Sequence, residues 1–231
     1  MKSNLPTGMY LKETKCPICE TSFKTIRVKS NAAALARKDE DFCPYYKNLN
    51  PMYYEIIVCP ICAYAASEAN FNEVGDFELI ALRNAFKTRQ VARDYTELRE
   101  WTDGVDSFKL ALLTATARKA KVSSIAGICL RIAWLYREKN DDKEEGFLKY
   151  AYENYRKAYE EEAPPYGNMN EMMLAYLLGE LARRLNMIDD AAYWLGKAVQ
   201  SPERKSNPRI EEMARNQFSI VRDEMKKRSK E

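Results

Sequence analysis

The tetrapeptide Cys-Pro-Ile-Cys occurs twice in this chain, at Cys16-Pro17-Ile18-Cys19 and at Cys59-Pro60-Ile61-Cys62. A two-residue gap lets one tight turn aim both sulfurs at a single ion, and two such turns complete a tetrahedron of thiolates. One pair is weak evidence. Two identical pairs, each beside a segment rich in strand formers, point to one structural Zn2+ held by Cys16, Cys19, Cys59 and Cys62. Residues 20–58 lie between the pairs, more than the roughly 15–20 residues of the simplest ribbon spacing, so that stretch must fold back on itself. The residue after each pair is often a glycine, because the chain turns there with positive φ. Here those residues are Glu20 and Ala63, and a left-handed conformation would cost each about 1–2 kcal/mol. Metal binding exceeds that cost.

Redox chemistry is the competing use of such pairs. On a thioredoxin scaffold the pair follows a strand and opens a helix within a βαβ pattern, and nothing around Cys16 has that pattern. Four of the six cysteines lie in the two pairs, and the stretch MKSNLPTGMYLKETKCPIC has no apolar core of a secretory signal. Reduced thiols and a cytoplasmic location are therefore expected. The chain contains no histidine, which excludes His-based triads, HExxH metalloproteases and His-ligated catalytic zinc. No run of about 18 apolar residues occurs, so no membrane partner is expected. The formal charge of +3 is too small to imply nucleic acid by itself, and four thiolates around Zn2+ bring the chain close to neutral.

The pattern along the chain changes after the second pair. Phe23 to Val28 and Tyr53 to Val58 read as short strands, one beside each cysteine pair. Ser30 to Pro51, with the charged run Arg37-Lys38-Asp39-Glu40-Asp41, reads as a short helix or an ordered loop. From about Phe77 the period is helical, with Leu79, Leu82 and Phe86 on one face. Thr102-Asp103-Gly104 reads as a break before a helix from Val105 to Ala120. Ser123 or Ser124 is a candidate N-cap for the next helix, striped by Ile128, Ile132 and Leu135. Asn140-Asp141-Asp142 is a turn before a long helix to about Glu162, and Ala163 to Asn168 breaks the chain again. Helices are expected from about Glu171 to Leu185, Asp189 to Gln200 and Pro208 to Lys227. The expected fold is mainly α: a zinc-ribbon-like β module over residues 1–72, then an antiparallel helical domain over residues 73–231. Leu178-Gly179, Ala191, Leu195, Ala198 and Pro202 fit the spacing of a tetratricopeptide repeat (TPR), in which small residues let two helices approach closely. A weaker match runs through Trp134, Leu135, Tyr136, Phe147, Leu148 and Ala151; an irregular helical bundle would show much the same periodicity.

The segment from Cys16 to Phe71 resembles an uncharacterised bacterial family, domain of unknown function number 2225. The residues that carry the resemblance are Lys15 to Cys19, Phe23-Lys24-Thr25 and Arg27 to Ser30, then Asp39, Asp41-Phe42, Tyr46, Asn50-Pro51 and Tyr54, and finally Val58 to Ala65. Ala63 stands where this family usually has Gly. The resemblance implies a paired-cysteine module with a helical, TPR-like C-terminal part, and it brings no established activity.

Three function classes follow. An interaction or scaffold role is favoured, with a protein or peptide bound on the helical surface, where Trp101, Trp134, Tyr152, Tyr155, Tyr159, Tyr176, Tyr193 and Trp194 supply aromatics. At helical spacing most of these are expected to be core. Nucleic-acid binding is the second class, with Lys24, Arg27 and Lys29 as candidate phosphate contacts. An enzyme is the third, with a site in residues 39–54 built from Asp39, Glu40, Asp41, Tyr45 and Tyr46 near Cys43. Cys43 is a spare ligand or reactive thiol on that reading, and a half-buried small residue beside aromatics on the simpler one. Cys129 lies on an apolar helix stripe and reads as core.

Overall fold

Each cysteine pair sits at the tip of a β-hairpin in the computed structural model, which describes residues 5–86 and 93–229. Strand β1 (Met9–Lys15) pairs antiparallel with β2 (Ser22–Val28), Lys15 facing Ser22, so Cys16–Cys19 lies in the connecting turn. Strand β5 (Ile56–Val58) pairs antiparallel with β6 (Ala65–Ser67), Val58 facing Ala65, and Cys59–Cys62 fills that turn. A third hairpin, β3 (Leu35–Lys38) with β4 (Pro44–Tyr46), lies between them in sequence. The 20–58 stretch thus folds back as strands, where a helix or loop was expected for Ser30 to Pro51. The expected strand from Tyr53 is also shortened. Pro51–Tyr54 forms a 3₁₀ turn, because the Asn50 side chain caps the Met52 N–H and Pro51 presets the first turn.

Seven α-helices follow among the described residues: α1 (Asp76–Phe86), α2 (Trp101–Ala117), α3 (Val122–Glu138), α4 (Lys143–Glu161), α5 (Glu171–Arg184), α6 (Ile188–Gln200) and α7 (Pro208–Arg228). Thr102-Asp103-Gly104, expected as a break, is instead the first turn of α2. Glu100 and Asp103 form a reciprocal capping box around it. Gly104 is there for packing: a Cβ at this position would lie 2.9 Å from Cδ1 of Tyr53. Neither Ser123 nor Ser124 is the cap of α3, which begins at Val122. The Ser123 N–H instead donates to the Glu162 carboxylate at 3.1 Å. The remaining helices fall within a residue or two of expectation.

By its contacts the chain divides into two compact units. The first comprises the described residues of Met1–Lys38, Pro44–Ala120 and Trp134–Asp141; the second comprises those of Asp39–Cys43, Lys121–Ala133 and Asp142–Glu231. Helix α3 therefore contributes to both. In the first unit β5, β6 and the 3₁₀ turn pack on α2, and the Ala65 N–H donates to the Thr114 hydroxyl at 3.3 Å. In the second unit α5 is the central helix, with Leu174 through Ala182 buried without interruption. Gly179 makes the α5–α6 approach close. A Cβ there would lie 2.6 Å from Cγ of Leu195, and Ala191 and Ala198 are fully buried on α6. Among the described residues no helix is long and apolar enough to cross a membrane.

Candidate metal centre

The two knuckles have the same backbone. The Cys16 N–H donates to Thr21 O at 2.9 Å and the Glu20 N–H to Cys16 O at 2.9 Å. In the second knuckle the Cys59 N–H donates to Tyr64 O at 2.8 Å and the Ala63 N–H to Cys59 O at 3.1 Å. Closing the turn this way puts the residue after each pair in the left-handed region, with φ of 61° at both Glu20 and Ala63. The expected strain is therefore present twice.

These turns bring all four sulfurs together, within 4.8 Å of one another. Cys16 Sγ lies 3.7 Å from Cys62 Sγ, and Cys19 Sγ lies 3.5 Å from Cys59 Sγ. A tetrahedral thiolate site with metal–sulfur bonds of about 2.3 Å has edges of about 3.8 Å, whereas a disulfide would need about 2.05 Å. The spacing is compatible with a metal ion, and both of these pairs are too far apart for a disulfide. Cys16, Cys59 and Cys62 are buried and Cys19 is half-buried. Around them lie Ile18, Ile57, Tyr64, Phe71, Leu82 and Phe86 in one apolar cluster. The Tyr64 hydroxyl is satisfied by Phe71 O at 3.0 Å.

Four thiols packed this closely cannot all ionise alone. Hydrogen bonds from Cys16 and Cys62 hold the Cys59 thiol down at about 2. The bond to Cys59 pushes Cys16 up to about 12, and the bond to Cys16 pushes Cys62 upward as well. A dication changes this, because its charge stabilises four thiolates at once. With all four donors supplied by the protein, such a site is closed, which is the arrangement of a structural and not a catalytic metal.

The other candidate residues are placed apart from this cluster. Arg27 is committed inside the first unit: it donates to Tyr54 O, to Glu55 O at 3.3 Å and to the Glu68 carboxylate at 2.7 Å. Lys24 is exposed and pairs with Glu13 at 3.3 Å, and Lys29 is exposed. Cys43 is buried in a segment that belongs to the second unit. There Phe42 packs on Tyr176, with ring centroids 5.5 Å apart, and the Tyr176 hydroxyl donates to Glu40 O at 2.8 Å. Arg184 lies 3.8 Å from Asp39, 3.6 Å from Asp41 and 2.8 Å from the fully buried Glu180, which Arg183 also meets at 2.8 Å. Two acids of the expected 39–54 site, Asp39 and Asp41, are thus engaged in an ionic network, as burial of charge requires. Tyr45 lies under the Arg37 guanidinium at 3.6 Å.

Sequence reasoning missed Arg99. It is buried and donates to Tyr53 O at 3.0 Å, Ile56 O at 2.7 Å and Tyr95 O at 3.0 Å, with burial pushing its pKa down to about 10. Together with Arg27 it binds the carbonyls of Tyr53 through Ile56, the segment that leads into the second knuckle. An arginine within the polar run Arg93 to Glu100 carries no signal of this.

Comparison with known proteins adds the family. Residues 9–221 match the model of a bacterial family described as uncharacterized protein conserved in bacteria (DUF2225). No curated protein and no solved structure matches the chain. The match spans both the paired-cysteine hairpins and the helical part, and the chain belongs to that bacterial family, domain of unknown function 2225.

Proposed function

We propose that this chain is a zinc-stabilised interaction or scaffold protein, which binds a protein or peptide on its helical C-terminal part. The observation that carries the reading is the convergence of four cysteine sulfurs within 4.8 Å at the tips of two hairpins, in a closed and apolar setting. Such a site organises the chain and leaves no coordination position for a substrate. The close approach of α5 and α6 at Gly179 supports TPR-like packing of that helical pair, and arrays of that kind present surfaces to peptides and helices. The burial of Cys43 and the commitment of Arg27 to carbonyls speak against the thiol-enzyme and nucleic-acid readings respectively.

The test is metal content with a thiol count, on protein purified without chelator. One zinc per chain is expected, and a zinc chelator should release four thiols to a thiol reagent. Cys43 and Cys129 are buried by packing and should need denaturant. Recovery without metal, with Cys16 and Cys19 found as a reversible disulfide, overturns the structural-zinc reading.

A further inference from the structure

Helices α4 and α6 line a cleft of about 350 Å³ in the second unit. From α4 it takes Tyr152, Arg156, Tyr159 and Glu160, and from α6 Asp190, Tyr193, Trp194 and Lys197. Spacings of three and four residues put each set on one helix face. The rings interlock: Tyr159 meets Trp194 edge-on at 5.0 Å and 68°, and Tyr193 meets Trp194 at 5.0 Å and 77°. The floor is fixed by polar bonds. Trp194 Nε1 donates to the Tyr152 hydroxyl at 3.3 Å, which donates in turn to Asp190 at 3.0 Å.

Over these rings stands the Lys197 ammonium, 4.4 Å from the Tyr159 centroid, 5.7 Å from Trp194 and 6.0 Å from Tyr193. Three ring faces attract one cation, and its flexible stem is held in place by that attraction. No carboxylate among the described residues lies within ion-pair distance of it. Arg156, in the same cleft, has only Glu160 at 4.0 Å, with both side chains more than half exposed, so that pair is weak. Asp190 is spent on Tyr152. The cleft therefore offers one cation, Lys197, with no carboxylate within ion-pair distance, and a second, Arg156, held only by the exposed Glu160. Both stand beside a pre-arranged aromatic wall, on which Tyr193 is 60% exposed.

We propose that this cleft recognises a peptide segment of the partner that presents a carboxylate side chain beside a large apolar one. The carboxylate meets Lys197 and Arg156, and the apolar group lies on Tyr193, which the buried Trp194 backs edge-on. The proposal rests on the partner-binding reading above. A cationic ligand fits less well, because Lys197 already fills the ring seat. An enclosed small molecule fits less well too, because Arg156, Glu160, Tyr193 and Lys197 all leave the cleft exposed to solvent. Ordering Lys197 before the ligand arrives removes part of the entropy that binding would otherwise cost.

The experiment pans the full-length, metal-loaded protein against a displayed library of random peptides, and repeats selected peptides at low and moderate salt. Enriched sequences should pair Asp or Glu with Leu, Phe or Trp and weaken with salt. Tyr193→Ala and Lys197→Glu should each reduce binding by about tenfold or more. Lys197→Glu should also turn the preference toward basic peptides. Both substitutions fall on exposed side chains, so unchanged circular dichroism and metal content verify the fold. Enriched peptides that bind both variants as well as the parent would overturn the cleft while leaving partner binding in place. Basic peptides selected by the parent would overturn the ligand class. A library that yields nothing above background would overturn the cleft and weaken the partner-binding reading with it.

Discussion

The two knuckles share a sequence, a backbone and a sulfur geometry, yet their tips meet different surroundings. Ile18, in the first, is 6% exposed, packed in the same apolar cluster as Leu82 and Phe86 of α1, and its carbonyl accepts from Arg83 Nε at 3.3 Å. Ile61, the same residue in the second, is 58% exposed. The hairpins behind them differ in the opposite sense. β5 is buried at all three positions, whereas β1 has none buried. The first knuckle is covered at its tip and the second is anchored at its base. Ligand geometry is a property of four residues and a turn; burial is a property of whatever the rest of the chain brings to it.

The largest effect should erase the difference. Each knuckle supplies two of the four clustered sulfurs, so on the proposed zinc reading Cys16→Ser and Cys59→Ser should be equally damaging despite their different cover. Each should lower zinc affinity more than about 100-fold, beyond what loss of a residue supporting a ligand costs. Much of the folding free energy of such a site is metal binding, so both variants should lose the cooperative unfolding of the hairpin region. Competition against a zinc chelator, with urea melts in parallel, measures both. If one variant keeps stoichiometric zinc at the parent's affinity, the four sulfurs do not act as one site.

This asymmetry also marks what could be read in advance. The convergence of the four cysteines and the positive φ at Glu20 and Ala63 follow from a local rule about two-residue gaps, and a local rule needs only local sequence. The helices α4 to α7 carry periodic apolar residues with breakers between them, and α5 has the Asn170 cap as well, so they too are visible. Identical tips cannot announce different environments, because Ile18 and Ile61 have the same flanking Pro and Cys, and the cluster that buries Ile18, with Leu82 and Phe86 of α1, comes from distant sequence. The hairpin β3–β4 was hidden for a related reason. All four residues of β3 are exposed, so it lacks the apolar alternation that marks a strand. At Gly104 a glycine that reads as a breaker is required by Tyr53, a residue about fifty positions away that no window over α2 contains.

A pair of core truncations should widen the contrast. Ile18→Ala removes a buried branched side chain from a packed cluster, and should cost about 2–4 kcal/mol. Ile61→Ala removes a largely exposed one and should stay within about 0.5 kcal/mol of the parent. Cobalt in place of zinc gives a thiolate absorption band that reports on the site, so its loss in urea gives both values. Equal destabilisation by the two variants would mean that α1 does not cover the first knuckle in solution.

The smallest effect separates the knuckles by their strained residues. Both Glu20 and Ala63 have φ of 61°, and glycine would relieve about 1–2 kcal/mol at each. Glycine also gives back about 0.4–1 kcal/mol by loosening the unfolded chain. Beyond that the two sites diverge. Glu20 is exposed, with Lys15 at 3.3 Å and Arg83 at 3.6 Å, pairs worth under about 1 kcal/mol. Ala63 is 2% exposed, and its methyl sits in the cluster over the sulfurs, where a buried carbon is worth about 0.8 kcal/mol. That methyl is lost at any ionic strength, whereas the ion pairs of Glu20 fade in salt. In about 0.5 M salt Glu20→Gly should therefore be more stable than Ala63→Gly by about 0.5 kcal/mol, a gap that narrows at low ionic strength. The reverse order in high salt would mean that the Ala63 methyl is not part of the metal site's apolar cover.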